Sequence, residues 1–412
     1  MGSGVLFVHN GFPGQFRDLA QTLVARGVPC AAIGGLEAQG LEGVNTARYA
    51  IPRASTPGVY PLAMAAEGDF IRASMASRVA HELKGGGFDP AVIVGHAMWG
   101  EMAFMAEIFP EARQVLFPEL FSGRPRPAAP FDPEFQSSSM QTQLLAKSRW
   151  AAPALELCDA DAIVAPTPFQ AATLPAAFRP ITRIIHEGID VETIRPGSPK
   201  PLQLPGGTVI RPGTPVITHV NNYLEPLRGL HILARALPRV LAEVPEAQVL
   251  IVGRETLTSA YAGDAPGGGT WKEAALAGVE LDPARVHFLG WLAHPVMHEV
   301  LKLSTAHVYY TWPYVLSWSV VEVMALGCYV IGSDTAPVRD AIEDGVNGRL
   351  LPFFDVDALA ATLIEACRQP EASRPMREAA RSTAVERFSQ AKGRAAWLEL
   401  LSEMGLEVPA AA

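Results

Sequence analysis

Thr311-Trp-Pro-Tyr-Val-Leu-Ser-Trp-Ser-Val-Val-Glu-Val-Met-Ala-Leu-Gly327 is the stretch whose reading decides the fold. The apolar run at residues 307–310 predicts a buried strand. A loop with hydroxyls at Ser317 and Ser319 follows it. Residues 320–326 then predict a helix that Gly327 closes. Strand, loop and helix start together suit an anion, because backbone N–H groups and the helix dipole converge there. Glu322 falls in the first turn, where its carboxylate can accept two neighbouring hydroxyls. The same spacing, Ser319-x-x-Glu322, also reads as a capping box, in which Glu322 serves only the helix.

Working outward, the same alternation recurs on both sides. Strands are predicted at residues 215–220, 247–252, 286–289, 329–332 and 348–352, with helices at 229–241, 338–342, 357–367 and 375–387. Earlier in the chain, strands are predicted at 4–9, 28–33, 91–94, 115–117, 162–165 and 181–185, and helices at 16–25 and 136–154. Alternating strands and helices imply mostly parallel sheets covered on both faces. Residues 195–215 hold Pro196, Pro199, Pro201, Pro205, Pro212 and Pro215, which is linker composition. The division expected is therefore 1–195, 196–388 and a helical tail, 389–412. The proline-rich insert at 122–135 reads as an ordered surface loop. The glycine-rich excursion at 258–270 reads as a site edge.

The composition bounds the function. A chain of 412 residues exceeds one core, and 49% hydrophobic with 18% charged residues is globular composition. A net charge of -9 argues against nucleic-acid binding. Cys30, Cys158, Cys328 and Cys367 form no C-x-x-C pair and read as buried thiols. His294 and His298 are four apart but lack the H-E-x-x-H pattern, so no metal is expected. The N-terminal apolar run at residues 5–8 is too short for a signal core or a membrane span, which sets a cytoplasmic expectation.

Open parallel sheets bind ligands beyond their strand ends. His9 ends the first predicted strand and Gly14 follows it, and His96 follows the strand at 91–94. Asn221, Asn222, Arg254 and Glu255 follow strands of the second half. The loop His9-Asn-Gly-Phe-Pro-Gly14-Gln has no G-x-G-x-x-G spacing and no dinucleotide is expected.

The segment from Thr311 to Gly327 resembles the donor-binding loop and helix of the family 4 glycosyltransferases. That family carries an E-x7-E pattern, and Glu322 matches its second Glu, which binds the ribose of a nucleotide-sugar. Tyr314 stands where the first Glu is expected. Asn222-Tyr-Leu-Glu-Pro-Leu-Arg228-Gly229 resembles the family's R-x-x-x-x-K-G segment, with Arg228 in the lysine's role on the diphosphate and Asn222 in place of the Arg. His186-Glu-Gly-Ile-Asp190 and the segment from Pro337 to Gly348 match further family segments.

The resemblance implies an α/β protein of GT-B fold, with two Rossmann-like parallel-sheet domains facing each other across a cleft. It implies a retaining transferase that takes sugar from a nucleotide diphosphate-sugar, commonly a UDP-sugar. The acceptor class stays open among glycan, lipid-linked, protein and small-molecule acceptors, and peripheral membrane contact fits a lipid-linked one. His96 is then a contact to the transferred sugar, catalytic together with Arg228 and Glu322. Gly14, Asn222, Arg254, Tyr314, Leu316, Ser317, Trp318 and Ser319 join Arg228 and Glu322 as donor contacts. No cofactor or metal is implied. Trp99, Trp312 and Trp318 could line an acceptor groove. Two other classes fit the same pattern: a nucleotide-sugar 2-epimerase of GT-B fold, which turns over donor without acceptor, and a non-catalytic nucleotide-sugar or glycan-binding protein.

Overall fold

The computed structural model describes residues 3–121, 131–136, 139–259 and 262–410. It divides into two units. Unit 1 comprises 1–128, 138–188 and 390–412, and unit 2 comprises 129–137 and 189–389.

Unit 1 is built on strands β1 (Val5–Val8), β2 (Cys30–Gly35), β3 (Asn45–Tyr49), β4 (Val92–Gly95), β5 (Arg113–Leu116), β6 (Ala162–Ala165) and β7 (Thr182–Ile184). They form one sheet in the order β3-β2-β1-β4-β5-β6-β7, with every pair parallel. Its helices are α1 (Arg17–Ala25), α2 (Met64–Gly85), α3 (Met105–Ile108), α4 (Met140–Ser148), α5 (Ala151–Cys158) and α6 (Pro168–Thr173). All four residues of β1 and of β4 are buried, as covering both faces of a parallel sheet requires.

Unit 2 opens with a short antiparallel hairpin, β8 (Leu202–Gln203) and β9 (Val209–Ile210), inside the proline-rich stretch. Its main strands are β10 (Val216–Tyr223), β11 (Gln248–Arg254), β14 (Val286–Phe288), β15 (Ala306–Tyr309), β16 (Val330–Ser333) and β17 (Arg349–Leu351). A second hairpin, β12 (Thr258–Ser259) with β13 (Gly263–Asp264), forms part of the glycine-rich excursion, whose residues 260 and 261 lie outside the described ones. The main sheet is parallel throughout, in the order β14-β11-β10-β15-β16-β17. The helices are α7 (Leu230–Glu243), α8 (Trp271–Leu276), α9 (His294–Leu301), α10 (Trp318–Ala325), α11 (Ala336–Arg339), α12 (Val356–Arg368) and α13 (Arg374–Phe388). The last helix, α14 (Gln390–Glu403), groups with unit 1. There Arg394 pairs with Asp18 at 2.6 Å and Trp397 stacks on Phe117 at 6.4 Å.

Each sheet, counted from its own first strand, runs 3-2-1-4-5-6, with β7 added in unit 1. This is the doubly wound Rossmann order. The two Rossmann-like parallel-sheet units make the protein a GT-B α/β fold. In such a sheet the order reverses between strands 1 and 4, and the loops leaving those two strands diverge to open a crevice. Those loops follow β1 and β4 in unit 1, and β10 and β15 in unit 2.

Four expectations need correction. The helix expected at 136–154 is two helices, broken at Arg149 and Trp150, where α4 ends and α5 begins. The compact units divide between residues 188 and 189, not 195 and 196. Cys158 is exposed, because it ends α5 on the outward side.

The insert is the fourth. Residues 122–130 lie outside the described ones, but Phe131–Gln136 belong to unit 2 and are not a mere surface loop. Asp132 is fully buried 3.2 Å from His231, and Glu134 pairs with Arg235 at 2.5 Å. The Phe131 ring packs on Phe353, 5.1 Å away, and Phe135 packs on His231 at 5.1 Å and Trp271 at 5.4 Å. Prolines exclude a helix there but do not exclude aromatic anchors.

Candidate functional site

In unit 2 the crevice is furnished by the loops after β10 and β15. Gly229 has φ +71°, and a Cβ there would meet the Cβ of Tyr310 at 2.6 Å. Only glycine therefore lets the chain pass from β10 into α7 this close to the β15 loop. The turn presents Arg228 to that loop. Arg228 Nη1 donates to Thr311 Oγ1 at 2.9 Å, with longer contacts to the Tyr309 hydroxyl at 3.3 Å and the Val315 carbonyl at 3.4 Å. Its guanidinium lies over the Tyr314 ring, 5.4 Å from the centroid. No hydrogen bond to a described residue engages Nη2 or Nε, so the fork remains open to a ligand.

The helix start differs from its expected form. α10 begins at Trp318, with Ser317 as N-cap accepting from the Ser319 N–H at 3.3 Å. Glu322 is thus in the second turn, and the Ser319–Glu322 capping box does not exist. Ser317 N–H donates to the Tyr309 hydroxyl at 2.8 Å, and Val320 N–H to the Ser317 carbonyl at 3.3 Å. The loop's own oxygens therefore take the N–H groups of Ser317, Ser319 and Val320 that the sequence assigned to an anion. What remains for an anion is the Arg228 fork and the positive end of the α10 dipole. Leu316 is 7% exposed and its side chain joins the core, so it offers a ligand only backbone.

Glu322 is buried, at 3% exposure. His294 Nδ1 lies 3.2 Å from one carboxylate oxygen and His298 Nε2 3.3 Å from the other. Burial pushes this carboxyl up, but the hydrogen bonds and charge from the two histidines outweigh it, and its pKa sits below the ordinary value. His294 is raised in turn, chiefly by its hydrogen bond to Glu322. Both histidines come from α9, one helical turn apart. The histidine spacing is visible in the sequence, but the cluster is not, because its third member, Glu322, lies on a different helix.

The other unit 2 candidates stand apart. Asn222 is exposed, while Asn221 beside it is buried with its amide 2.7 Å from His219 Nε2. Arg254 is exposed at the end of β11, its guanidinium 5.2 Å over the Trp291 ring. Trp318 is 39% exposed and Trp312 is buried. Tyr309 and Thr311 were missed by sequence reasoning. Tyr309 ends the buried strand β15 and Thr311 follows two residues later, where a tyrosine or threonine reads as packing.

In unit 1 the loops after β1 and β4 carry a different set. The His9 and His96 rings meet edge to face at 5.2 Å, and Trp99 stacks on His96 at 4.1 Å. His9 Nδ1 accepts from the Gly11 N–H at 2.9 Å, and Nε2 lies 2.9 Å from Gln15 Oε1. Gly14 has φ +47°, and a Cβ there would strike the His9 ring at 2.6 Å. Gly14 is thus required by His9. His96 is 3% exposed, with Nδ1 buried and without a hydrogen-bond partner. Burial and then the charge of His9 push its pKa down to about 3, so the ring is neutral at neutral pH.

The His96 loop is held from behind by Glu156 on α5. Its two oxygens accept from the Met98 N–H at 2.8 Å and the Met102 N–H at 3.1 Å. Met98 has φ 127°, a conformation that a side chain disfavours and that its surroundings must impose. Nearby, Glu101 accepts from the Tyr49 hydroxyl at 2.6 Å, and Arg72 donates to Asp69 and to the Trp99 carbonyl. Burial raises the pKa of Glu156 to about 8 against the lowering effect of its two backbone donors.

The family model described as "Glycosyl transferase family 4 group" matches residues 26–194, and "Glycosyl transferases group 1" matches residues 214–369. The chain belongs to the family 4, group 1 glycosyltransferases. Among curated glycosyltransferases, the phosphatidyl-myo-inositol mannosyltransferase of Mycolicibacterium smegmatis is 32% identical over 154 residues. That match covers 36% of this chain and 35% of the relative. The D-inositol 3-phosphate glycosyltransferase of Frankia alni is 27% identical over 190 residues, covering 45% of this chain and 44% of its own. The chain thus spans less than half the length of these relatives. Among solved structures, Anabaena HepE in complex with UDP-glucose superposes with TM-score 0.67 at 20% identity, over 97% of this chain and all of that one. Sucrose-phosphate synthase from Thermosynechococcus elongatus superposes with TM-score 0.70 at 16% identity, covering 98% and 99%. These structural likenesses concern the fold.

Among the described residues, no helix of this glycosyltransferase is long and apolar enough to cross a membrane.

Proposed function

We propose that this protein transfers a sugar, with retention of configuration, from a nucleoside diphosphate sugar to an acceptor. The observation that carries the reading is the Arg228 guanidinium, fixed through Nη1 at the unit 2 switch point with its remaining N–H groups unengaged by any described residue. A planar cation held this way suits a diphosphate, which it can bind in bidentate fashion. Departure of the nucleoside diphosphate builds negative charge on its oxygens. Arg228 and the α10 dipole stabilise that charge as it develops. Ser317 and Ser319, whose hydroxyls lie 2.9 Å apart, can turn toward the same phosphates. Glu322 takes the ribose hydroxyls, displacing one of its histidines to do so. Tyr314 holds the arginine by its ring, so its role in this chain is to position the phosphate ligand. In unit 1, neutral His96 is the contact for the transferred sugar, through Nε2, since Nδ1 is buried.

UDP is the first nucleotide to test, in line with the structural neighbour solved with UDP-glucose. The relatives named for phosphatidyl-myo-inositol and inositol 3-phosphate make an inositol-containing acceptor, lipid-linked or free, the acceptor class proposed here. A lipid-linked acceptor would bring the enzyme to a membrane surface from the cytoplasmic side.

The test is a panel of nucleotide-sugars scored by thermal shift, followed by transfer assays of each hit with and without inositol-containing acceptors. A bound donor raises the melting temperature by linkage. The reading expects a hit whose sugar moves only when acceptor is present. Turnover of donor to a 2-epimer without acceptor would contradict it, and binding with neither outcome would leave a non-catalytic receptor.

A further inference from the structure

Two clusters of metal-binding side chains occur among the described residues: Asp132, Glu134 and His231, and His294, His298 and Glu322. The first is closed to an ion. Both Glu134 oxygens are taken by Arg235, at 2.9 and 2.5 Å, Asp132 and His231 are fully buried, and the Phe135 ring packs on His231. The second is open. The His294 side chain is 62% exposed, that of His298 16%, and the Glu322 carboxylate beneath them 5%.

We propose that His294, His298 and Glu322 form a site for one divalent transition-metal ion of the zinc class, and that the ion takes Glu322 away from the nucleotide. The donor set is two imidazoles and one carboxylate, the composition borderline-soft cations such as zinc favour and magnesium does not. The spacing also fits. Zinc bonds of about 2.0–2.2 Å place tetrahedral neighbours roughly 3.3–3.5 Å apart. His294 Nδ1 lies 3.2 Å from one carboxylate oxygen and His298 Nε2 3.3 Å from the other, and one donor atom from each residue lies within 4.8 Å of the others. The histidines are on one face of α9 and the carboxylate on α10, so packing of two helices preforms the site. Three protein donors leave a fourth position for water on the exposed His294 side.

The consequence rests on the ribose role proposed above for Glu322. A carboxylate that holds a dication through one oxygen keeps only the other for hydroxyls and can no longer pair both hydroxyls of a ribose. The metal is therefore an inhibitor of donor binding and not a cofactor of transfer.

Cobalt(II) titrated into the chelator-treated full-length protein tests the site, because its visible absorption reports tetrahedral nitrogen and oxygen ligation. One ion should bind, be displaced by zinc, and be lost or weakened at least 10-fold in His298→Ala and in His294→Gln, whose exposed position protects the fold. Binding in the wild type no tighter than in these variants would overturn the site. Uridine and guanosine, which carry ribose but no chelating phosphate, test the coupling. Saturating zinc should weaken the bound nucleoside at least 10-fold in the wild type and leave it unchanged in the double histidine variant. Metal binding without that loss would overturn the coupling and leave the site standing. Absent metal binding, a loss of nucleoside affinity in Glu322→Gln would keep the ribose role while the metal site falls.

Discussion

The two switch points of this molecule share a topology and differ in charge. The unit 1 crevice is lined by His9, His96 and Trp99, and burial keeps the His96 ring uncharged. Its carboxylates, Glu101 and Glu156, are buried behind the loop. The unit 2 crevice presents a half-buried guanidinium, pinned to the hydroxyls of Tyr309 and Thr311 at the loop after β15. Sheet order brings strands 1 and 4 together in both, but the residues after those strands decide what can bind. One crevice suits a neutral, hydroxyl-rich ligand and the other an anion.

The largest effect should come from breaking the neutral crevice. His96→Ala should lower the transfer rate by about 10²-fold, the scale of losing one contact to developing charge, with little change in donor dissociation constant. Steady-state rates and direct binding, measured separately, check this. An unchanged rate removes His96 from the chemistry.

Next is the hydroxyl scaffold of the charged crevice. Tyr309→Phe conserves a ring that is 1% exposed but deletes the acceptor for the Ser317 N–H and Arg228. An unpaired buried donor costs about 1–3 kcal/mol, which should appear in the denaturant midpoint. A loss below that range would mean the loop re-pairs with water.

The carboxylate behind the His96 loop makes a pH prediction. Glu156 has its pKa raised to about 8 by burial. A carboxyl raised on folding adds stability that is complete below its unfolded pKa of about 4.3 and is lost as pH climbs through the folded value. Wild-type stability should therefore fall between about pH 4.3 and 8, by up to ~1.4 kcal/mol per pH unit for one proton. Glu156→Gln should flatten that slope, at the expense of one hydrogen bond to Met98 or Met102. Urea unfolding across this pH range reads it, and an identical slope in the variant would place the charge elsewhere.

The smallest effect separates two roles for Tyr314. The ring beneath Arg228 contributes about 0.5–1 kcal/mol at a partly exposed site. Tyr314→Ala should lose that much nucleoside diphosphate affinity and Tyr314→Phe almost none. If Tyr314→Phe instead relaxes preference among donor sugars, the phenol acts as a sugar contact in place of the missing glutamate.

Much of the architecture was legible because buried parallel strands are continuous apolar runs. Residues 162–165 were read as the strand they form, and the loop from Thr311 to Gly327 carried the family resemblance. The 22-residue helix α2 was not, because its buried face is Ala73, Ala76 and Ala80, too weakly apolar to show a period. β3 was missed as an edge strand of sequence NTARY with one buried residue. In the site, Arg228 was read by its place before Gly229. The histidine pair on Glu322 was not, because it depends on how α9 packs on α10. Tyr309 and Thr311 could be recognised only once the loop folded back onto Arg228.

The most direct test of the charged crevice is the binding of UDP and of uridine to wild-type protein and to Arg228→Ala, by calorimetry at one ionic strength. A charge-assisted contact to phosphate is worth about 1.5–3 kcal/mol, so UDP affinity should fall roughly 10–150-fold while uridine affinity stays the same. An equal loss for both ligands, or for neither, would place Arg228 outside the diphosphate site.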